Sequence, residues 1–161
     1  MFARHFIDSW DFAHKGKELR GEIPVAEMPR LADMLISTDG QVSYVLRGYQ
    51  DKDGNPMLEL SLDGLCQLRC QRCLQRMDYP VRLVSRLMLA DTQPENELSE
   101  DEYDSVPADP HQDVSALVEE EILLSLPFAP KHEPGACQAA TEGLLQSDGN
   151  PFTVLRSLKN K

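Results

Sequence analysis

Apolar and polar residues alternate between residues 42 and 89 of this 161-residue chain, and this pattern sharply limits the folds that the chain can adopt. Three segments share this period of two, and the turn sequence at residues 51–56 separates the first from the second. Successive side chains of a strand point to opposite faces of a sheet, so each segment predicts a strand with one buried face. The short connections predict an antiparallel meander. The residues predicted to be buried are Val42, Tyr44, Leu46, Leu58, Leu60, Leu62, Met77, Tyr79, Val81, Leu83, Leu87 and Leu89.

Apolar residues at helical spacing follow these strands. Between residues 113 and 126 they recur with a helical period, Asp113 stands where an N-cap is expected, and a proline ends the segment. Glu119, Glu120 and Glu121 are expected on or near the solvent side of this helix. A shorter amphipathic helix is predicted over residues 29–37. The sequence therefore predicts an α+β fold, in which one or two helices pack on an antiparallel sheet.

Negative charge is concentrated in one part of the chain. The formal net charge is −11, and the part between Leu87 and Pro130 carries twelve acidic residues with no lysine or arginine. Residues 91–112 alone hold eight acids and three prolines. This composition predicts a flexible acidic loop within a single domain of residues 1–161, because few apolar side chains are present to offset the entropy of ordering. Such a segment is either a solvated linker that keeps the protein soluble or a docking site for basic proteins.

A C-x-x-C motif, Cys70 to Cys73, lies at the turn between the second and third predicted strands. This spacing is typical of zinc knuckles and of thiol redox sites. Zinc takes four tetrahedral ligands, and His132 with Cys137 would complete a site with Cys70 and Cys73. A metal-free pair that closes a turn is an alternative, and a redox site is another, although redox motifs normally lie at a helix N-terminus. Cys66 is predicted to be a packed small apolar residue.

Five arginines surround the C-x-x-C motif. Between residues 69 and 86 there is no lysine and one acid, Asp78, so the local charge is +4. Guanidinium groups suit phosphate recognition, which makes these arginines candidates for contact with RNA or a protein partner. A solvated sheet face is the alternative, because two of them lie on strand positions opposite the apolar ones. The five are Arg69, Arg72, Arg76, Arg82 and Arg86.

Catalytic and membrane signatures are not found in the sequence. We see no nucleophile–base arrangement, no glycine-rich phosphate loop and no paired carboxylates, so the chain is not expected to be an enzyme. No apolar run reaches the roughly 18 residues of a membrane helix, and residues 1–14 lack the apolar core of a secretory signal. We therefore expect a cytoplasmic location, where thiols stay reduced, and no membrane partner.

The order of these landmarks resembles the YceD family, bacterial proteins tied to the accumulation of large-subunit ribosomal RNA. The resemblance covers about residues 20–161 and rests on residues 68–74, the acidic loop with residues 119–127, residues 132–137, and residues 150–159. Some family members carry a second C-x-x-C after the helix, where this chain has Cys137 alone.

The resemblance implies a non-enzymatic factor in the synthesis, processing or stability of large-subunit ribosomal RNA, within ribosome biogenesis. It implies ribosomal RNA, a precursor ribosome or a ribosome maturation protein as the partner, and it gives no reason to expect DNA. A zinc- or thiol-dependent binding or redox-sensing module is the alternative function.

Overall fold

The predicted meander lies at the centre of a five-stranded sheet in the computed structural model of the chain, which describes residues 4–91 and 104–137. Its helices and strands are β1 (Phe6–Ile7), α1 (Ser9–His14), β2 (Glu18–Pro24), α2 (Pro29–Ala32), β3 (Gln41–Gln50), β4 (Pro56–Arg69), β5 (Arg76–Ala90), β6 (Asp104–Pro107), β7 (Gln112–Asp113) and α3 (Val114–Ser125). The strand order is β2-β3-β4-β5-β6, and β1 pairs with β7 in a separate two-stranded sheet. The predicted α+β architecture is confirmed.

The three predicted strands pair as an antiparallel meander. Leu46 on β3 lies opposite Leu60 on β4, and Leu62 on β4 lies opposite Leu83 on β5. Buried and exposed side chains alternate along β3 and along most of β5. Ser85 interrupts the apolar pattern of β5, yet it also lies on the inner side, where its hydroxyl donates to a carboxylate oxygen of α3. The alternation therefore predicted the buried face correctly.

Strand β2 was not predicted, and it forms one edge of the sheet. It pairs antiparallel with β3, beginning with Glu18 opposite Arg47. Gly21 lies in the middle of this strand, where a Cβ atom would come within 2.8 Å of the Tyr44 hydroxyl oxygen. Glycine is therefore required here by the close approach of the Tyr44 ring, which is buried. The same glycine breaks the alternation that would otherwise have indicated a strand.

The acidic segment over residues 91–112 contains strands in its second half. Residues 104–107 form β6, which pairs parallel with the end of β5, and Gln112 pairs with Ile7 of β1. The prediction of a flexible loop is wrong for these residues. Val106 packs against the hydrophobic core, and the edge of β5 that faces away from β4 offers its backbone hydrogen-bonding groups to β6. Residues 92–103 of the predicted loop lie outside the described residues.

One side of the sheet is covered by helices. The long helix α3 packs on β5, the short helix α1 packs on β3 and β4, and α2 packs on α3. Helix α2 ends at Ala32, so the prediction of a helix through residue 37 is wrong. The chain beyond α2 turns into β-type pairing with β4, because the Ile36 amide donates to the Gln67 carbonyl at 2.8 Å. No helix in the described parts of the chain is long and apolar enough to cross a membrane.

Two of the three glutamates on α3 are buried, although the sequence predicted them on or near the solvent side. A carboxylate oxygen of Glu119 accepts a hydrogen bond from the Leu31 amide of α2 at 3.0 Å, and Glu121 accepts one from the Ser85 hydroxyl of β5. Glu120 is exposed and lies 3.4 Å from Arg30. Helix α3 lies between α2 and β5, so Glu119 faces α2 and Glu121 faces β5. Each buried carboxylate therefore serves as a hydrogen-bond acceptor between elements.

The bond between Glu119 and Leu31 provides a stability test. We expect Glu119→Ala to lower the free energy of unfolding by about 1–3 kcal/mol, because it leaves a buried amide without an acceptor. Glu119→Gln keeps an acceptor oxygen and should cost less. Glu120→Ala is the matched control and should change stability by less than about 1 kcal/mol, since it removes only an exposed ion pair. Urea unfolding followed by circular dichroism measures all three, and equal losses at the two positions would contradict this role for Glu119.

Candidate metal centre

The turn between β4 and β5, residues 70–75, is here called the knuckle. The Leu74 amide donates to the Cys70 carbonyl at 2.9 Å, and the Cys70 amide donates to the Gln75 carbonyl at 3.0 Å. Leu74 has a φ of 61°, a left-handed conformation that few non-glycine residues adopt. These bonds close a tight loop, which holds Cys70 and Cys73 next to each other at the end of the hairpin.

The chain after α3 returns to the knuckle. This part, residues 127–137, is here called the return segment. The Gln71 amide donates to the Pro130 carbonyl at 2.8 Å, and the Arg72 guanidinium donates to the His132 carbonyl at 3.4 Å. The return segment then turns through Gly135, whose φ is 87°. These hydrogen bonds to the backbone of the return segment therefore hold His132 and Cys137 next to the two cysteines of the knuckle.

The four predicted ligand residues converge on one point. One potential ligand atom from each of Cys70, Cys73, His132 and Cys137 lies within 4.8 Å of the other three. The Cys70 and Cys137 sulfurs are 3.6 Å apart, and Nδ1 of His132 lies 3.4 Å from the Cys73 sulfur and 3.6 Å from the Cys137 sulfur. Tetrahedral zinc with ordinary bond lengths places two sulfurs about 3.8 Å apart and sulfur and nitrogen about 3.6 Å apart. The spacing therefore fits a tetrahedral metal ion bound by three sulfurs and one nitrogen.

The surroundings of His132 favour the same arrangement. Its Nε2 lies 3.0 Å from the Arg76 carbonyl oxygen, so Nε2 carries the proton and donates it to that oxygen. When the ring is neutral, as a metal ligand must be, the lone pair of Nδ1 then points toward the sulfurs. A backbone carbonyl that fixes the second ring nitrogen in this way is the usual support for a metal-binding histidine.

The pKa values of the thiols show how strongly the site stabilises anionic sulfur without a metal. Burial opposes ionisation of Cys70, but backbone N–H groups, including that of Cys73, outweigh it and hold the pKa of Cys70 at about 5. Burial also opposes ionisation of Cys137, yet hydrogen bonds from Arg72 and His132 lower its pKa. The pKa of His132 is raised, mainly by its hydrogen bond with Cys137. The pocket is thus built to hold negative sulfur.

Cys73 and Cys66 behave differently. The Gln75 amide favours the Cys73 thiolate, but burial and the neighbouring thiols of the site raise its pKa. Three thiolates so close together repel one another, and a divalent cation would remove this penalty. Burial in the core raises the pKa of Cys66 to about 11. Cys66 is fully buried among apolar residues, so its prediction as a packing residue is confirmed.

Arg72 has a role that the sequence did not indicate. Its Nε donates to the Cys137 sulfur at 2.9 Å, and its backbone amide donates to the Cys70 sulfur at 3.4 Å. A zinc ion with three thiolates and a neutral histidine has a net charge of about −1, which one guanidinium offsets. The prediction that Arg72 contacts RNA stays a prediction, but its side chain already has a sulfur partner.

Three of the five predicted arginines are paired with acids. Arg82 lies 2.8 Å from Asp63 and Arg86 lies 3.3 Å from Glu59, each across the β4–β5 pairing. Arg76 lies 3.1 Å from Asp78 on its own strand. All three pairs are on the outer face of the sheet. The charge of +4 counted over residues 69–86 is therefore not the charge of this surface. Strand β4 contributes two acids, Glu59 and Asp63, which lie outside that range of the sequence. Arg69 is exposed at the end of β4.

Comparison with known proteins gives a consistent picture. A family model described as "Large ribosomal RNA subunit accumulation protein YceD" matches residues 58–159, more than half of the chain. A curated relative in Haemophilus influenzae, named large ribosomal RNA subunit accumulation protein YceD, is 23% identical over 171 aligned residues, which cover 96% of this chain and 95% of the relative. No solved structure matches the chain. The matched family region contains the knuckle, α3 and the return segment.

Thiol labelling tests this description of the cysteines. In metal-free native protein at pH 7 we expect iodoacetamide to modify Cys137 first, because Cys137 is half-exposed and its pKa is lowered. Cys73, with its raised pKa, should react more slowly. Cys66 should react only after unfolding, since it is buried and its pKa is about 11. Peptide mapping by mass spectrometry gives the order, and modification in denaturant should reach all four cysteines. Early labelling of Cys66 in native protein would contradict the structure.

Proposed function

The chain belongs to the YceD family, and from this membership we propose that it supports the accumulation of large-subunit ribosomal RNA as a binding factor that catalyses no reaction itself. The observation that carries the proposal is the family match over residues 58–159, which includes both parts of the candidate metal centre. The nearly full-length alignment with the Haemophilus influenzae relative supports the same role. The proposed partner is ribosomal RNA, a precursor ribosome or a maturation protein in the cytoplasm.

We further propose that Cys70, Cys73, His132 and Cys137 bind one zinc ion. The support is the set of distances between their ligand atoms, the carbonyl partner of His132 and the lowered pKa values of two thiols. Zinc with four protein ligands has no open position for a substrate, which is typical of a structural site. Its role in this chain would be to attach the return segment to the end of the β4–β5 hairpin.

Attachment by a metal ion matters here because the return segment buries few apolar side chains. Phe128 is fully exposed, and all of residues 127–137 are exposed or half-buried. Such a segment buries too little apolar surface to offset the entropy of ordering it. A metal that bridges Cys137 and His132 to the knuckle supplies this stabilisation, because metal affinity adds to the stability of the state that binds it.

For direct contact with ribosomal RNA we favour the knuckle end of the sheet over its middle. Arg69 and Lys131 are exposed there, and neither has an acidic partner among residues 4–91 and 104–137. In the β4–β5 register Arg69 lies opposite Arg76, so two guanidinium groups lie at neighbouring positions. In the middle of the sheet, by contrast, Arg82 is neutralised by Asp63. Phosphate contact depends on cations that are free to replace counterions.

Depletion and rescue test the RNA function. Depleting the protein in the organism that encodes it should lower the ratio of large- to small-subunit ribosomal RNA. Expression of the wild-type chain should restore this ratio. The double variant Arg69→Glu with Lys131→Glu should rescue poorly, because reversed charges repel phosphate. The matched control is Arg82→Gln, which changes a paired arginine and should rescue fully. An unchanged RNA ratio after depletion would reject the function while leaving the zinc proposal intact.

Metal analysis tests the zinc site. Purified protein should contain about one zinc per chain, and a chelator should lower the melting temperature, because the ion is bound only by the folded state. Cys137→Ser should lose the zinc and show the same lowered melting temperature without chelator. Cys66→Ala is the matched control: it removes a buried sulfur, costs about 1 kcal/mol in stability and should keep the zinc.

Other outcomes of the metal analysis favour different functions. Protein without zinc, with a melting temperature that chelator does not change, would reject the metal site and favour a metal-free turn. A reversible Cys70–Cys73 disulfide at cytosolic redox potential, with activity that changes as it forms, would favour the redox-sensing module. Mass measurement with and without reductant separates these two outcomes.

A further inference from the structure

A groove lies between α3 and the β5–β6 edge of the sheet, in a part of the molecule separate from the candidate metal centre. Its volume is about 560 Å³, and none of its lining residues is a proposed metal ligand. Val106 and Pro107 of β6 form one wall, and Leu117 and Leu124 of α3 contribute to the other. The groove therefore exists only because residues 104–107 join the sheet as a strand.

The apolar part of the groove is open to solvent. Leu124 is 71% exposed, although most leucines in the described parts of the chain are buried or half-buried. Leu117 and Leu124 are seven residues apart, or about two helical turns, so they lie along one side of α3. Two apolar side chains aligned in this way along a groove form the kind of surface that receives the apolar side of an amphipathic segment.

The charged part of the groove has one sign. Asp104, Asp109, Glu120 and Glu121 line it, and no lysine, arginine or histidine does so. Glu121 is bound to Ser85 and Glu120 lies near Arg30, while Asp104 has no ion-pair partner in the described parts of the chain. Carboxylates around an apolar floor attract lysine and arginine and repel phosphate. The charge therefore disfavours nucleic acid as the occupant and favours a basic polypeptide.

We propose that this groove is the docking site for a basic segment of another protein, one that inserts two or three apolar side chains beside Leu117 and Leu124. Its lysine or arginine residues face the carboxylates of the rim, with Asp104 as the principal partner. The inference does not rest on the zinc site or on RNA binding, because it uses different residues. It assigns a protein-binding role to the acidic side of the molecule.

A synthetic peptide tests the chemistry of this surface. The probe is an amphipathic peptide of about 14 residues, or about four helical turns, with leucines at positions i, i+3, i+4 and i+7 and lysines elsewhere. Titrated into the full-length isotope-labelled chain, it should shift the amide resonances of residues 104–106 and 116–124. Binding should weaken as salt is raised, because it depends on charge. The same peptide with glutamates in place of the lysines should not bind.

Two variants localise the binding, with one matched control. Leu124→Glu and Asp104→Lys should each lower the affinity for the lysine peptide by about tenfold or more. The first variant removes an apolar contact, and the second reverses a charge at the rim of the groove. Phe128→Glu is the control: it changes an even more exposed apolar residue that does not line the groove, and the affinity of this variant for the peptide should equal that of wild type. Circular dichroism should show that all three variants are folded.

Three results would overturn the proposal. Equal binding by wild type, Leu124→Glu and Asp104→Lys would show that the peptide does not use the groove. Shifts of the α3 amides in the free chain on Leu155→Glu would show that residues 150–161 of the same chain occupy it. Self-association in sedimentation experiments that Leu124→Glu abolishes would identify a second copy of the chain as the occupant.

Discussion

The pairing of β4 with β5 governs where the other elements of the fold and the candidate metal centre lie. Its register runs from Met57 opposite Met88 to Arg69 opposite Arg76, and a shift of one residue would turn every core side chain to the solvent face. This one alignment has three consequences. It fixes the inner face on which α3 packs, it closes the knuckle at one end, and it leaves the opposite edge of β5 free to pair with β6.

The candidate metal centre joins parts of the chain that this hairpin alone would not hold together. The residues of the knuckle and the return segment are separated by more than 50 positions, with β5, β6 and α3 between them. Tyr79 of β5 donates to the Ser125 carbonyl at the end of α3, so the helix ends near the knuckle and the return segment is short. Because the helix ends there, the four candidate ligands come close together. The thiols and the imidazole are brought together by the path of the backbone, and a metal ion would stabilise that path.

The charge of the outer sheet face depends on which strands pair, not on stretches of like charge in the sequence. Glu18, Arg47, Glu59 and Arg86 lie at successive positions across β2, β3, β4 and β5, so acids and bases alternate over the outer face. Opposite charges at such cross-strand positions are mildly stabilising. The middle of that face is therefore nearly neutral, whereas the charged residues that line the groove beside α3 are all acids. The proposed RNA contact at the knuckle and the proposed basic partner at the groove thus occupy surfaces of different charge.

The local elements and the set of candidate ligands could be predicted from the sequence, whereas the contacts between elements distant in the chain could not. Period-two alternation and the Asp113 N-cap, whose side chain accepts from the Ser115 amide, are encoded within a few residues. Zinc chemistry likewise identified Cys70, Cys73, His132 and Cys137 as a set. Strand β6, the buried Glu119 and the ion pairs of Arg82 and Arg86 were not predicted. Each depends on a partner far away in sequence, and only the packing of the whole chain brings that partner into contact.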